Sequence, residues 1–261
     1  MRILPKISIV IPSFNKVEFI GETLESIVTQ KYPNLEVIIR DPGSSDGTIE
    51  IIKKFVNNYK SIFSLHIEKD RGQLDAINKG LVQASGEIVT FINADDIYRK
   101  GALEVVGNYF VKNPKTFWVA GKGQTIDEKG KAIVSWVDDY KNYLLKLNNY
   151  SYLLTVNYLF QPSIFLSRTA FQKYGPFIGT KTSVMEYDMW LKLGKVKMPE
   201  VVDSFLTGFR LIRGSLSSTE FKLILKADEK IVEKYTNNKA LIMLHYLHNL
   251  GRVLTLNFLE I

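Results

Sequence analysis

Short apolar runs alternate with helical patterns in the first half of the chain, and this alternation constrains the fold more than any other feature. The strand-like runs cover residues 7–11, 35–39, 62–67 and 87–92. Helix-spaced apolar residues follow at Ile20, Leu24, Ile27 and Val28, at Ile49, Ile52 and Val56, at Leu74, Ile77 and Leu81, and over about residues 102–111. This order is typical of βαβ units, so we predict an α/β fold with a Rossmann-like, mostly parallel mixed sheet flanked by helices.

The pattern is weaker beyond residue 113. Residues 117–120 and 132–137 are predicted strands on either side of a turn at residues 127–130. A short helix is predicted around residues 186–191. Lysine-rich helices are predicted from residue 220 onward, with their apolar faces at Leu223, Ala227, Ile231, Leu241, Leu244 and Leu247. We therefore expect one domain over residues 1–215 and a helical C-terminal extension over residues 216–261.

Charge and composition narrow the classes of partner. The net charge of +7 favours an anionic partner, either a nucleic acid, an acidic membrane or a phosphorylated small molecule. The aromatic residues follow core periodicity and do not interleave with a basic stripe, so we expect no nucleic acid partner. The absence of cysteine excludes disulfides and thiolate metal sites. Residues 1–5 lead directly into a strand without a leader pattern, so we expect a cytoplasmic location, which includes the inner face of a membrane.

Polar clusters follow all four predicted strands. They cover residues 13–15, 41–48, 69–73 and 93–96. Each could serve only to cap a helix or make a turn, but the carboxyl ends of parallel strands meet at one sheet edge, where ligands commonly bind. The adjacent carboxylates of Asp95 and Asp96 suit a hard divalent cation that shares its coordination with substrate phosphates. The four clusters together favour a ligand site.

These segments resemble glycosyltransferase family 2 in residues, order and spacing. The resemblance is carried by the stretches IVIPSFN at residues 9–15, D at 41 with GSSDGT at 43–48, DRGQLDAINKG at 70–80 and ASGEIVTFINADD at 84–96. It continues through QPSIF at residues 161–165 and EYDMWL at 186–191, and so covers about residues 6–215. The combination is much more specific than any one of its parts.

The resemblance implies a GT-A fold and an inverting, hexosyltransferase-like enzyme of polysaccharide, glycolipid or glycan synthesis. Its donor would be a UDP-, dTDP- or GDP-linked sugar, and its acceptor the hydroxyl of a carbohydrate or a lipid-linked molecule. Asp41 would accept a hydrogen bond from the base, Arg71 would face the diphosphate, and Asp95 would bind Mg²⁺ or Mn²⁺. The positions carried over as donor-binding are Pro12, Ser13, Phe14, Asn15, Asp41, Arg71, Asp75, Asn93 and Ala94.

Inversion requires a base that takes the proton of the attacking hydroxyl. Asp188 resembles the catalytic aspartate of the family and is our first choice, and Glu186 is the second. Burial beside Tyr187 and Trp190 would raise the pKa of Asp188 and make it a better base. The alternative is that Asp188 only caps its helix.

Two departures from the family pattern concern the metal. Asn93 stands where the family often has aspartate, although an asparagine still bonds a ribose hydroxyl. Ile212 stands where many relatives have a histidine after Phe-Arg-x, so we expect a lower metal affinity, or compensation by Arg213. His245 and His248 are expected to pack rather than bind metal. The rival function is a catalytically weak, nucleotide-sugar-binding subunit that has lost its metal chemistry.

The C-terminal extension leaves two partners open. Residues 240–259 are largely apolar, and Arg252 is their only charged residue. They also contain His245, His248 and Asn249, so a membrane span is not expected. An interfacial helix on an acidic membrane is one expectation for residues 216–261. Packing on the domain, or a homodimer contact, is the other.

Overall fold

The computed structural model describes residues 3–133, 135–179, 184–212 and 221–259. In these residues one mixed sheet has the strand order β3-β2-β1-β4-β7-β6-β8-β5. The strands are β1 Ile7–Pro12, β2 Leu35–Asp41, β3 Phe63–Ile67, β4 Ile88–Phe91, β5 Ile97–Tyr98, β6 Trp118–Ile126, β7 Ile164–Ser167 and β8 Glu200–Arg210.

Ten α-helices lie in the described residues and flank the sheet. They are α1 Ile20–Val28, α2 Thr48–Asn58, α3 Gln73–Gln83, α4 Ala102–Lys112, α5 Trp136–Leu147, α6 Tyr150–Thr155, α7 Arg168–Tyr174, α8 Met185–Val196, α9 Phe221–Tyr235 and α10 Lys239–Leu259. A 3₁₀ turn spans Gln161–Ser163.

The predicted βαβ half is confirmed. β1 pairs in parallel with β2 and β4, with Ile7 opposite both Leu35 and Ile88, and β2 pairs in parallel with β3. Every residue of β1 is buried, as expected of a central parallel strand covered on both faces. The polar loops after β1, β2, β3 and β4 therefore leave the sheet at the same edge.

The second half confirms the mixed sheet but not every predicted strand. β7 runs antiparallel to β4 and β6, whereas β8 is parallel to β6. The strand predicted over residues 132–137 is wrong, because Ser135 accepts a hydrogen bond from the N–H of Asp138 and caps α5, which begins at Trp136. In the described residues of this segment, Ala132 alone forms a bridge, with Ile126.

The C-terminal helices pack on the domain. Val232 is buried in the same core cluster as Trp118 and Trp190, whose rings stack with centroids 5.7 Å apart. Leu241 and Ile242 pack against this cluster, so α9 and α10 share the core of the first domain. The boundary predicted between residues 215 and 216 lies outside the described residues.

The orientation of α10 is not the predicted one. Leu244 and Leu247 are more than half exposed, whereas His245 and Asn249 are buried. His245 stacks on Tyr187 of α8 and places its Nδ1 3.0 Å from the carbonyl oxygen of Thr155. These polar contacts, which a hydropathy pattern does not reveal, decide which face of α10 turns inward. The packing role expected for His245 agrees with them.

Gly86 should be indispensable for the position of β4. A Cβ at this residue would lie 2.7 Å from the carbonyl oxygen of Lys6 and 2.8 Å from the nitrogen of Ser8, which are backbone atoms that cannot rotate away. We predict that Gly86→Ala lowers the free energy of unfolding by about 1–3 kcal/mol, measured by urea denaturation. Gly251→Ala in α10 is the matched control, because a Cβ there meets no atom within 4 Å. Equal stability of the two variants would contradict this account.

Candidate active site

The loop after β1 is fixed to the loop after β2. Asn15 has a φ of 49°, its N–H donates to Ser44 Oγ at 2.8 Å, and its Oδ1 accepts from the N–H of Ser45 at 3.1 Å. The N–H of Lys16 donates to Thr48 Oγ1 at 2.8 Å. These bonds between side chains and backbone hold the two loops side by side at the edge of the sheet.

The predicted nucleotide-lining residues of the first loop differ in exposure. Pro12 and Ser13 are buried, and Ser13 Oγ has no hydrogen-bond partner among the described residues. Phe14 is 58% exposed, so its ring offers an apolar surface to a ligand. This loop therefore presents one aromatic face and one buried hydroxyl group at the sheet edge.

Asp41 is fully buried, and its carboxylate is bound within its own loop. Oδ1 accepts from the N–H groups of Gly43 and Ser44 at 2.9 and 2.7 Å, and Oδ2 accepts from the Ser44 hydroxyl at 2.7 Å. A nucleotide base that bonds Asp41 must therefore share the carboxylate with Ser44 or displace that hydroxyl. Because Asp41 is also fully buried beneath its loop, either role requires movement of residues 42–45.

A buried ion pair that no sequence motif indicates fixes the loop after β3. Arg40 is fully buried and makes two hydrogen bonds to the carboxylate of Asp70, at 2.9 and 3.2 Å. Lys79 lies 2.8 Å from both Asp70 and Asp75. The net effect of the bonds from Arg40 and Lys79 is to lower the pKa of Asp70, although burial opposes it.

Arg71 and Asp75 play different parts at the start of α3. The N–H of Arg71 donates to Asp75 Oδ2 at 2.9 Å, and this bond together with Lys79 lowers the pKa of Asp75 to about 2. The guanidinium of Arg71 is 90% exposed. Asp75 therefore anchors the loop, whereas the Arg71 side chain extends into solvent, where it is accessible to an anionic ligand.

The two adjacent carboxylates after β4 have opposite environments. Asp96 is 1% exposed, and its oxygens accept from the N–H of Arg210 at 2.8 Å and from Asn93 Nδ2 at 3.2 Å. Burial and the nearby charge of Asp95 raise the pKa of Asp96 well above its usual value. Asn93 is also bound by Gln73, and Ala94 is buried. Asp96 is therefore structural, and Asp95 is the carboxylate that reaches the site.

Arg210, at the end of β8, holds this loop in place. Its side chain is fully buried; Nε donates to the carbonyl oxygen of Asp95 at 2.7 Å, and Nη1 donates to the carbonyl oxygens of Asp127 and Glu128 at 3.0 and 2.8 Å. Nη2 pairs with Glu22 of α1. Arg210 thus joins β8, the β4 loop, α1 and the turn after β6. The Phe-Arg stretch that precedes Ile212 is the sequence signal for this arginine, but its pattern alone does not indicate the structural role of Arg210.

The fit of a divalent cation rests on Asp95. No group of three or more histidine, aspartate or glutamate side chains in the described ranges could hold an ion, and Arg213 lies outside them. Asp95 Oδ2 is 2.6 Å from Lys16 Nζ, and the Asp95 side chain is 16% exposed. Because Mg²⁺ and Mn²⁺ bind through one or two carboxylates with water and substrate phosphates, Asp95 fits such an ion as a single protein ligand.

The two predicted bases occupy the first turn of α8, and they differ in their contacts. Asp188 is 5% exposed, and its Oδ1 accepts from Lys234 Nζ at 2.8 Å and from the Tyr235 hydroxyl at 3.1 Å, both on α9. Glu186 is half-buried, and desolvation raises its pKa to about 6 against the opposing charge of Lys141. A pKa of about 6 suits Glu186 to accept a proton near neutral pH.

Lys141 of α5 and Asp228 of α9 are near enough to interact electrostatically with Glu186. Lys141 of α5 lies over the ring of Phe160, 3.9 Å from its centroid, and burial lowers its pKa to about 8. Burial raises the pKa of Asp228 on α9 to about 7, and Arg252 of α10 lies 3.6 Å from its Oδ2. The C-terminal extension thus contributes to the electrostatics around Glu186, which the sequence analysis did not predict.

Contacts connect Glu186 to the β4 loop along the sheet edge. Gln161 Nε2 donates to the carbonyl oxygen of Phe91, the last residue of β4, at 2.8 Å. The neighbouring Phe160 contacts Lys141, which is close enough to Glu186 to affect its pKa. Gln161, in the 3₁₀ turn before β7, therefore bonds the end of β4, and its neighbour Phe160 carries the lysine that acts electrostatically on Glu186.

Comparison with known proteins identifies the class. Residues 8–175, more than half of the chain, match the family model described as Glycosyl transferase family 2. The chain therefore belongs to glycosyl transferase family 2, as the sequence motifs predicted.

Solved structures share the fold. A mannosyltransferase from Pyrobaculum calidifontis, in complex with GDP-Man and Mn²⁺, gives a TM-score of 0.71 at 19% identity and covers 94% of this chain and 70% of that chain. S. aureus TarS 1-349 in complex with UDP-GlcNAc gives 0.66 at 18% identity, over 92% and 70%. The predicted GT-A fold is confirmed.

Curated relatives are similar over shorter segments. The poly-beta-1,6-N-acetyl-D-glucosamine synthase of Staphylococcus epidermidis is 38% identical over 115 residues, which are 44% of this chain and 28% of that protein. A putative teichuronic acid biosynthesis glycosyltransferase of Bacillus subtilis (strain 168) is 32% identical over 117 residues, which are 45% of this chain and 46% of that protein. The chain spans less than half the length of these relatives.

Removal of the Arg210 guanidinium should destabilise the protein and displace the β4 loop. We predict that Arg210→Met costs about 3–5 kcal/mol of unfolding free energy, because Glu22 and several carbonyl groups lose a buried donor. Arg99→Met is the control, since the Arg99 guanidinium donates a hydrogen bond to the neutral side chain of Gln124. Urea denaturation measures both variants, and a loss at Arg210 no larger than that at Arg99 would contradict the role assigned here.

Proposed function

We propose that the protein transfers a sugar, with inversion, from a UDP-, dTDP- or GDP-linked donor to a hydroxyl group of a carbohydrate or lipid-linked acceptor. The observation that carries the proposal is the half-buried Glu186, whose pKa is raised to about 6 and which interacts electrostatically with Lys141 on the ring of Phe160, next to the Gln161 that bonds the end of β4. Homologues named for polysaccharide synthesis and structural neighbours bound to nucleotide sugars support the same reaction class.

The donor would lie across the ends of β1, β2 and β4. Phe14 would contact the base or ribose, and Ser13, whose buried hydroxyl has no partner among the described residues, would gain one. Asp41 would bond the base once residues 42–45 move. The exposed guanidinium of Arg71 suits a diphosphate because it donates several hydrogen bonds in one plane. Pro12, Asn15, Asp75, Asn93 and Ala94 would shape this surface.

Asp95 would hold a divalent cation, Mg²⁺ or Mn²⁺, together with the donor phosphates. When bound, such an ion supplies charge neutralisation for the leaving diphosphate. The chain's own contribution is to fix the Asp95 loop through Arg210 and to keep Asp96 inward and bonded. The Mn²⁺ in the mannosyltransferase structure supports this assignment.

Glu186 would act as the base, in preference to Asp188. As the acceptor oxygen attacks the anomeric carbon, its proton passes to the Glu186 carboxylate. The bond from the anomeric carbon to the diphosphate breaks, and the nucleoside diphosphate leaves with the electron pair. Asp188 already binds Lys234 and Tyr235, so its contacts favour a structural role that holds α9 against the base-bearing turn of α8. This order reverses our sequence-based preference.

Substitutions distinguish the roles of Glu186 and Asp188. We predict that Glu186→Gln lowers kcat by about 10²–10⁴-fold, the usual contribution of a general base. The wild-type rate should rise with pH through about 6, because only the ionised carboxylate accepts a proton. Asp188→Asn should lower kcat by less than about tenfold and lower stability modestly, since its partner Lys234 is 55% exposed. Release of nucleoside diphosphate from a panel of donors measures all three.

The same assay tests the rival function. A weak donor-binding subunit would bind nucleoside diphosphates and release none from any donor, in the presence or absence of Mn²⁺. The half-buried Glu186 favours the enzyme over this alternative. If Asp188→Asn abolished turnover and Glu186→Gln retained it, the assignment of the base would be wrong.

The C-terminal extension would contact a membrane, which would place the enzyme at the inner face of the cytoplasmic membrane near lipid-linked acceptors. Within the described residues, no helix is long and apolar enough to span a bilayer. Met243, Leu244, Leu247 and Leu250 nevertheless form an exposed apolar stripe on α10. Such a stripe on a protein of net charge +7 fits the surface of an anionic membrane, and a homodimer contact is the alternative.

Vesicle binding distinguishes these partners. We predict that the protein sediments with vesicles that contain anionic lipid, and that the double variant Leu244→Ser and Leu247→Ser loses most of this binding. The control replaces the exposed Val82 of α3 by serine. Unchanged sedimentation of the double variant, together with a shift from dimer to monomer, would favour the homodimer.

A further inference from the structure

An ammonium group lies beside the carboxylate that the proposed function assigns to the metal. Lys16 Nζ is 2.6 Å from Asp95 Oδ2, although the two residues are 79 positions apart in the chain. The Lys16 side chain is 32% exposed and that of Asp95 is 16% exposed, so a ligand can reach the pair from solvent. A cation that coordinates this oxygen must displace the lysine.

The backbones of both partners are fixed. The N–H of Lys16 donates to Thr48 Oγ1, and its carbonyl oxygen accepts from the N–H groups of Phe19 and Ile20 at 3.0 and 2.9 Å. The carbonyl oxygen of Asp95 accepts from the buried Arg210. The contact therefore joins two anchored loops. The long, rotatable side chain of Lys16 can leave Asp95 without movement of either backbone.

The other described groups near Asp95 add little negative charge to attract a metal. Asn93 is neutral and is held by Gln73 and Asp96, and Asp96 is buried with a raised pKa. A metal ion would therefore depend on one protein carboxylate, and Lys16 already neutralises that carboxylate.

We propose that Lys16 is a built-in cation of the donor site: it competes with the divalent ion for Asp95, and it binds the donor diphosphate when the ion or the donor releases it. This proposal rests on the proposed function, because it concerns the same diphosphate site. It predicts two binding properties of the protein. Free metal should bind weakly, and a nucleoside diphosphate should bind measurably without metal.

The test compares Lys16→Met with the wild type by two binding measurements. Free Mn²⁺, detected by its electron paramagnetic resonance signal, should bind Lys16→Met at least about threefold more tightly, since the competing ion pair is partly exposed and modest in strength. UDP and GDP, titrated calorimetrically in EDTA, should bind Lys16→Met at least about threefold more weakly. Uridine and guanosine, which lack phosphates, should bind the two proteins equally.

Two controls make the result specific. Lys197→Met removes a lysine that follows α8 and pairs with Glu200, the first residue of β8, away from the site, and it should change neither measurement. Asp95→Asn should abolish the gain in Mn²⁺ affinity when it is combined with Lys16→Met. Wild-type binding of UDP or GDP only with Mn²⁺, and unchanged by Lys16→Met, would overturn the role of Lys16 alone. Absence of nucleotide binding under all conditions would overturn the proposed function as well.

Discussion

The buried guanidinium of Arg210 is the interaction on which the geometry of the site depends. It donates to the carbonyl oxygen of Asp95 and to two carbonyl groups of the turn after β6, and it pairs with Glu22 of α1. The backbone N–H of the same residue donates to Asp96. A charge removed from water is stable only if its donors are satisfied, so these segments hold a fixed arrangement around it. The β4 loop consequently turns one carboxylate inward and presents the other to the site.

The same principle organises the rest of the sheet edge. Arg40 is buried against Asp70, and Asp75 is bonded to the N–H of Arg71 and to Lys79, so the loop after β3 is rigid while the Arg71 side chain stays exposed. Each loop contains charged groups whose hydrogen bonds are made within the protein. These groups hold in place a neighbouring side chain that a ligand can reach. Asp188 and Glu186 follow this division at the start of α8.

Much of the fold could be predicted from local patterns, and the parts that could not depend on contacts distant in sequence. The apolar runs of β1, β2 and β4 are almost entirely buried, so their hydrophobicity was sufficient, and the partly buried edge strand β3 was predicted from its place in the βαβ order. The Ser135 cap overrode an extended pattern, and buried polar contacts of His245 reversed the expected face of α10. The motifs indicated the residues after each strand, but the contact of Lys16 with Asp95 and that of Lys234 with Asp188 join residues 79 and 46 positions apart, which no motif encodes.

The most direct test of this account is a crystal structure with a nucleotide sugar donor and Mn²⁺, solved with the Glu186→Gln variant to prevent turnover. The account predicts density for the diphosphate between the β1 loop and Asp95, with the anomeric carbon of the sugar facing residue 186 across an open acceptor space. A donor bound elsewhere, or an anomeric carbon that faces Asp188 and is remote from residue 186, would contradict it.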